Sequence, residues 1–235
     1  MTRFALEVWG DYACFTRPET KVERLSYPVI TPSAARAIFD AIYLRFEGDS
    51  SHQPVFRWQI QRIEILNPIE FIGFSRNEVK GKMSTRRIET PLLADASGKG
   101  SETSGRTQRQ SMILRDVRYR LFAEPILYEP NPLLELQISK MFIRRATRGQ
   151  CFHQPCLGCR EFVAFFELVE PIFGKTAPIN QDIGWMIYDV FDLSKPGSSF
   201  SLPSISIFKA SIHDGVVKVP PFDSEAVRKL GIRVI

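Results

Sequence analysis

Residues 142–162 have the sequence FIRRATRGQCFHQPCLGCREF, in which the end of a predicted helix, a turn and the start of a strand follow one another. Apolar residues at helical spacing precede this stretch, and Gly149 occupies the position of the first residue beyond a helix. The apolar run at 163–169 then predicts a strand. This junction therefore joins the second predicted helix to the last strand of the larger predicted domain.

Three of the four cysteines and one of the three histidines lie in this junction. Cys156 and Cys159 have the C-x2-C spacing of a zinc knuckle, with Cys151 and His153 close by. A structural zinc site needs four nitrogen or sulfur ligands, and no second ligand pair follows at a suitable distance. We predict reduced thiols in a packed turn without a metal, and zinc is the alternative.

The chain before the junction alternates strand-like and helical segments. Two helices are each predicted by an N-cap residue followed by proline, from Thr31-Pro32 to about Phe46 and from Asn131-Pro132 to about Arg148. The predicted strands are residues 4–9, 54–66, 69–74, 111–126 and 163–169. With residues 69–74 as a hairpin strand in the middle, this order predicts an α+β fold. The layout is the β-α-β-β-α-β order of a ferredoxin-like (RRM-like) domain over residues 1–170.

Two further segments differ in composition from this domain. Residues from about 80 to 110 are basic and have no apolar period, which predicts a long mobile loop. After Pro171, short β-like runs at 184–191, 205–212 and 216–219 alternate with proline, glycine and serine. They predict a small C-terminal antiparallel β-sheet domain over residues 171–235.

Charge indicates a polyanionic partner. The net charge is +5 and the pI about 9.1. Arg144, Arg145, Arg148 and Arg160 flank the glycine turn; arginines there also suit a solvated helix C-terminus. Together with the basic loop and with Arg17, Lys21 and Arg24, they favour phosphate binding.

Several classes of function and location are disfavoured. The sequence has no Walker loop, G-x-S-x-G, H-E-x-x-H or dinucleotide fingerprint, which argues against ATP, nicotinamide and metalloprotease chemistry. It also has no apolar run of membrane-spanning length and no signal peptide at its start. We therefore expect a cytoplasmic protein without a cofactor.

The pattern of motifs resembles the Cas-five family of CRISPR-associated proteins in its I-C (Dvulg) subtype. The matching segments follow in order through nearly the whole chain: 9–19, 25–27, 32–36, 76–79, 114–119, 148–152 and 157–162. The resemblance implies a RAMP-type ferredoxin-like domain with a glycine-containing loop after its second helix, plus a C-terminal β-sheet domain. It implies no membrane association.

The resemblance also implies a function. Members of the subtype cut the repeat hairpins of the CRISPR precursor RNA, remain on the 5′ handle of the guide RNA, and join the large and backbone subunits of the type I-C effector complex. The expected reaction is metal-independent attack of a 2′-hydroxyl on the neighbouring phosphate, which gives a 2′,3′-cyclic phosphate. The residues expected to bind RNA are Arg17, Lys21, Arg24, Arg76, Lys80, Arg144, Arg145, Arg148, Gly149, Gln150 and Arg160.

The family's catalytic groups are a tyrosine or histidine at the end of the first helix and a Lys-His pair early in the second. Tyr43 matches the first position, but Gln137 and Ile138 stand where the pair is expected. A missing general acid or base typically costs 10²- to 10⁴-fold in rate. Lys140, on nearly the same helix face as Gln137, is predicted to stabilise charge, and His153 to donate a proton.

Two alternatives to the enzyme stay open. The absent Lys-His pair favours a non-catalytic cap on the 5′ handle of the guide RNA within the effector complex. A third hypothesis adds sequence-independent binding of double-stranded DNA through the basic loop.

Overall fold

Ten strands and two helices form in the residues that the structure describes. The computed structural model of the chain describes residues 3–20, 23–48, 53–79, 106–171, 174–196 and 204–230. The strands are β1 (Phe4–Ala13), β2 (Arg24–Leu25), β3 (Phe56–Ile65), β4 (Glu70–Val79), β5 (Arg106–Leu127), β6 (Phe165–Val169), β7 (Gln181–Asp189), β8 (Ser206–Ile212), β9 (Val216–Lys218) and β10 (Val227–Lys229). The helices are α1 (Pro32–Ile42) and α2 (Pro132–Thr147).

The strands form two sheets. The larger has the order β6-β1-β5-β3-β9, with β2 and β4 also paired to β5, and the smaller has the order β10-β8-β7. Only the β2–β5 pairing is parallel among the strand pairs described. The fold is therefore α+β with mostly antiparallel sheet, which confirms the predicted class.

One strand lies in a different sheet from the one predicted. The run 216–219 was assigned to the C-terminal sheet, but β9 pairs with β3, joining Arg62 to Lys218 and Glu64 to Val216. The short strand follows the turn at Asp214-Gly215, where both residues have positive φ. This tight reversal carries the chain from β8 back to the edge of the large sheet.

Both helices begin as the sequence predicts, with capped N-termini. The side chains of Thr31 and Asn131 accept hydrogen bonds from the third residue beyond them, and proline follows each cap. The end of α1 was predicted about four residues too late. Tyr43 already has extended backbone angles, and its carbonyl accepts a hydrogen bond from Nε1 of Trp58 at 3.0 Å.

An aromatic cluster packs the two helices against the large sheet. Phe142 of α2 lies 4.6 Å from Trp58 of β3 and 4.9 Å from Phe4 of β1, measured between ring centroids. Phe39 of α1 stacks on Phe142 at 5.5 Å. Each such pair contributes about 0.5–1.5 kcal/mol beyond the buried area, so this cluster fixes both helices on one face of the sheet.

The other face of β3 is covered by C-terminal residues. Gln59 donates to the Tyr188 hydroxyl at 2.7 Å, and Arg57 binds Asp223 at 2.9 Å. Arg36 of α1 binds Asp189 of β7 at 2.8 Å. These polar contacts hold the C-terminal residues against the rest of the chain. Neither α1 nor α2 has the length and apolar surface of a membrane-spanning helix.

A long β-hairpin projects from the large sheet. Strand β4 pairs with β5 from Glu70–Arg115 to Val79–Arg106 in unbroken register. Residues 106–110, which the sequence assigned to the mobile loop, are therefore the first residues of β5. Most of the predicted loop, including Lys80, lies outside the described residues. We call β4 together with residues 106–115 the arm.

Candidate nucleic-acid interface

Hydrogen bonds join the C-terminal end of α1 to α2 and to the loop after it. Nε of Arg145 donates to the Ile42 carbonyl at 2.7 Å, and the Phe152 amide donates to the Ala41 carbonyl at 2.7 Å. Nη1 of Arg45 donates to Oε1 of Gln137 at 2.9 Å. We call the surface around these contacts, from Tyr43 across α2 to His153, the helix-end site.

The glycine turn of this site has the geometry of a Schellman motif. Gly149 has a φ of +63°. Its amide donates to the Ala146 carbonyl at 3.1 Å, and the Gln150 amide donates to the Arg145 carbonyl at 2.9 Å. These are the two hydrogen bonds of that motif, so the prediction of Gly149 as the first residue beyond the helix is confirmed.

The arginines at the end of α2 have different environments. Arg145 is half-buried, and its guanidinium stacks over the Phe152 ring at 3.9 Å in addition to its bond to Ile42. Arg144 and Arg148 are exposed and form no ion pair among the described residues; Nη2 of Arg144 contacts the Met141 sulfur at 3.0 Å. Two cations are therefore available at the surface, while the third holds the site together.

Tyr43 is the C-cap residue of α1 and is only 9% exposed. Its ring lies 6.1 Å from that of Phe56. Among the described residues its hydroxyl has no hydrogen-bond partner. The side chain is thus part of the core at the border of the helix-end site.

Lys140 and His153, the other two predicted catalytic residues, are both exposed. Lys140 is exposed on α2, three residues after Gln137, and His153 is exposed directly after Phe152. The expected Lys-His positions differ from each other in environment. Gln137 is exposed and bound by Arg45, whereas Ile138 is fully buried in the core.

A second group of predicted cations lies beside the arm. Arg24 and Arg76 both contact Oε1 of Glu161, at 3.5 and 2.6 Å. Arg17 is packed over the Tyr27 ring at 4.7 Å, and Arg160 is exposed. The predicted RNA-binding residues Lys21 and Lys80 lie outside the described residues, so the eleven residues form at least two separate groups.

The cysteines of the junction are free thiols and face different neighbours. The Cys159 sulfur lies 3.2 Å from Nη1 of Arg24 and 3.7 Å from the Cys14 carbonyl oxygen. A hydrogen bond with the Cys14 thiol, followed by the charge of Arg24, lowers the pKa of Cys159 to about 6. Within the described ranges, no three cysteine, histidine or acidic side chains converge as a metal site would require.

Sequence reasoning did not single out Arg45 or Glu161. Arg45 follows Tyr43 by two residues and bonds to α2, and Glu161 holds two arginines that come from β2 and β4. The position of Arg45 two residues after the expected catalytic tyrosine was a usable signal. Glu161 gave none, because its partners are 85 and 137 residues away in the chain.

Residues 4–234 match the family model Cas_Cas5d, described as CRISPR-associated protein (Cas_Cas5). A Mannheimia succiniciproducens protein named CRISPR pre-crRNA endoribonuclease Cas5d is 38% identical over 239 residues, covering 97% of this chain and 99% of that protein. A Thermus thermophilus protein with the same name is 35% identical, covering 94% of this chain and 92% of the relative.

Two solved structures are similar in fold. One, titled as a CRISPR-associated protein, has a TM-score of 0.61 at 18% identity and covers 97% of this chain and 96% of its own. The other is a functionally uncharacterised protein from Streptococcus mutans with a TM-score of 0.60 at 20% identity, covering 97% of both chains. At these identities the likeness concerns the fold alone.

Proposed function

Because the chain belongs to the Cas5d family of CRISPR-associated proteins, we propose that it is an endoribonuclease that cleaves CRISPR precursor RNA at the repeat hairpin. The names of two relatives that match nearly the whole chain support this activity. Within the chain, the supporting observation is the helix-end site, where three hydrogen bonds join the residues flanking Tyr43 to α2 and to the loop after it.

The reaction that fits this site is an internal transesterification. The 2′-hydroxyl oxygen forms a bond to the adjacent phosphorus, and the bond from phosphorus to the 5′-oxygen of the next nucleotide breaks. In this proposal Tyr43 takes the proton from the 2′-hydroxyl, His153 protonates the leaving oxygen, and Lys140 stabilises the extra negative charge. All three roles are filled by side chains, so the proposed reaction requires no metal.

The proposed RNA interface continues from this site over exposed cations. Arg144 and Arg148 supply charge for backbone phosphates, and the exposed turn at Gly149-Gln150 allows close approach of a strand. After cleavage the protein is proposed to retain the 5′ handle and to join the large and backbone subunits of a type I-C effector complex. Double-stranded DNA is proposed as a further ligand of the same basic surfaces.

The sheet order supports a ferredoxin-like description of the larger domain. Strands β6, β1, β5 and β3 are adjacent in that order, each pair antiparallel, with α1 between β1 and β3 and α2 between β5 and β6. This is the arrangement of a ferredoxin-like, RAMP-type domain, which we propose for residues 1–170. The segment 171–235 is then the C-terminal β-sheet domain, with β9 contributed to the larger sheet.

A second candidate function is the non-catalytic cap. It is favoured by one observation: Ile138 is buried and Gln137 is engaged by Arg45, so neither position of the expected Lys-His pair offers a proton-transferring group. In this alternative the same cations hold the 5′ handle, and another nuclease produces it.

Incubation of the protein with its cognate repeat RNA in EDTA separates the two candidates. The enzyme produces a 2′,3′-cyclic phosphate, and Tyr43→Phe slows its formation about 10²- to 10⁴-fold. Tyr128→Phe, a half-buried tyrosine at the end of β5, is the matched control and keeps the wild-type rate. RNA that is bound but stays intact with the wild-type protein would establish the cap instead.

A further inference from the structure

A concave surface separate from the helix-end site lies at the base of the arm. It is a cleft of about 640 Å³ between the end of β1, one face of the arm, and the end of the loop after α2. Its walls include Tyr12, Ile72, Phe74, Arg76, Glu161 and Phe162. The volume is in the range of small-molecule sites and exceeds what one nucleobase needs.

Aromatic rings from β1 and from the arm line the cleft and are open to solvent. Tyr12 is 43% exposed and Phe74 is 42% exposed. The Phe162 ring, half-buried, lies 6.2 Å from that of Tyr12. Proteins bind unpaired bases by stacking them on such rings, and every base has a face suited to this contact.

The polar group inside the cleft suits the edge of a base. Glu161 accepts from Arg24 and Arg76 through Oε1, while Oε2 has no partner among the described residues. A free carboxylate oxygen accepts hydrogen bonds from the ring N–H or amino groups of bases. The two guanidiniums offset the carboxylate charge, so the cleft does not repel a phosphate backbone.

The charge of the arm favours a nucleic acid over a neutral polypeptide. Residues 70–115 contain nine arginines and lysines against five acidic residues, a net charge of +4. Among the side chains of the arm that the structure describes, Arg76, Arg109 and Arg115 stand against Glu70, which is paired with Arg115. A polyanion is therefore attracted to the same arm that presents the exposed rings.

The loop after α2 connects this cleft to the helix-end site. Its Phe152 end is hydrogen-bonded to α1, and its Glu161 end contacts Arg76 of the arm. We propose that the cleft binds one unpaired base of single-stranded RNA, stacked between Phe74 and Tyr12 with its edge on Glu161. The inference rests on the proposed function in that the bound base belongs to the strand that the protein retains.

The test uses single-stranded RNA with the sequence of the retained 5′ segment of the cognate repeat, carrying 2-aminopurine at one position at a time. With the wild-type protein, one position is quenched on binding because the base stacks on an aromatic ring. Phe74→Ala removes that quenching and weakens binding by roughly 5- to 150-fold, the range for the loss of one stacked base. Tyr12→Ala acts in the same direction.

Phe71→Ala is the matched control. Phe71 lies on the same strand as Phe74, is 44% exposed, and points to the opposite face because the residues are three apart. It keeps wild-type affinity and quenching. Equal losses of affinity from Phe71→Ala and Phe74→Ala would overturn the proposal. It would also be overturned if an RNA that lacks the base at the quenched position still bound Phe74→Ala more weakly than wild type.

Two further outcomes separate this inference from the proposed function. RNA that binds with the Phe74 signature but is never cleaved overturns the nuclease and leaves the base site intact. If Phe74→Ala cleaves and binds RNA as the wild-type protein does, the base site is overturned and the proposed nuclease is not. If Phe74→Ala instead weakens only the association with other subunits of the effector complex, a polypeptide occupies the cleft and the proposal is wrong.

Discussion

The arginines at the end of α2 and those beside the arm have the same charge but different surroundings. Arg144 and Arg148 are exposed and have no carboxylate partner in the described residues, whereas Arg24 and Arg76 share Glu161. The first pair contributes mainly long-range attraction to phosphates. The second pair fixes the shape of a cleft, and the Glu161 carboxylate offsets one of its two charges locally.

This comparison shows that a cation in a sequence is not always a free cation in the fold. Arg145 illustrates it within one helix, because its two neighbours reach solvent while its own guanidinium binds Ile42 and covers Phe152. Ion pairs and packing must therefore be known before a phosphate contact is assigned.

The largest effect is expected from Arg145→Ala. It removes a charged hydrogen bond to a backbone carbonyl and a cation–π contact, which together contribute about 2–3 kcal/mol to the free energy of unfolding. Chemical denaturation measures the change. Arg144→Ala is the control and stays within about 0.5 kcal/mol of wild type; equal stability of the two variants would show that Arg145 is not structural.

The double variant Arg144→Ala/Arg148→Ala is expected to weaken RNA binding without loss of stability. Two lost phosphate contacts lower the slope of log affinity against log salt by about 1.4 for a single strand. Affinity at low salt falls about tenfold. Titrations at several salt concentrations measure both quantities, and an unchanged slope would place the RNA away from the end of α2.

Glu161→Gln is expected to weaken RNA binding but to change its salt dependence in the opposite direction. Removing the carboxylate charge makes Arg24 available to phosphate and steepens the salt dependence, but the cleft loses the charged oxygen proposed to bind the edge of the base, so RNA affinity falls by a factor of a few. Glu225→Gln makes the same charge change at an exposed C-terminal position and is the control. Unchanged or tighter binding by Glu161→Gln would mean that the carboxylate does not hold the ligand.

The smallest effect concerns the thiol beside Arg24. Because the pKa of Cys159 is lowered from its usual 9.0 to about 6, its alkylation by iodoacetamide is expected to rise with pH around 6 and to level off by pH 8. Burial raises the pKa of Cys156, which therefore reacts later. Mass spectrometry of the labelled peptides distinguishes the two.

Two variants separate the causes of this shift. Cys14→Ala removes the larger cause and is expected to raise the pKa of Cys159 more than Arg24→Gln, which removes the guanidinium. The lowered pKa of Cys159 also affects the free energy of unfolding. A thiol whose pKa is lower in the folded state stabilises the fold above pH 9, and this contribution is lost as the pH falls to 6. The raised pKa of Cys14 opposes it above pH 9.

Local patterns predicted much of the fold. The caps at Thr31 and Asn131, the turn at Gly149 and the α+β order depend on neighbouring residues, so they could be inferred from the sequence. The end of α1 depends instead on Trp58, fifteen residues beyond Tyr43, and the placement of β9 depends on an open edge of β3. Propensity gives no signal for such tertiary contacts.

The candidate site likewise contains residues that the sequence indicated and residues that only the fold brings together. Tyr43 was predicted from the family resemblance and the arginines of α2 from their place at a helix end, although the sequence did not indicate that Tyr43 is largely buried. The pairing of Glu161 with Arg24 and Arg76, and the cleft formed with Tyr12 and Phe74, join segments far apart in the chain. Only the folded structure brings these groups together.

The central place of β5 has a consequence for biosynthesis. Strand β1 pairs only with β5 and β6 among the described strands, and Phe4 meets Ala123. A growing chain on the ribosome therefore carries its apolar first strand without a partner until most of the protein has been translated. Such distant pairings slow folding and leave strand edges open to aggregation, so the yield of this protein in cells depends on how well its first strand is protected during translation.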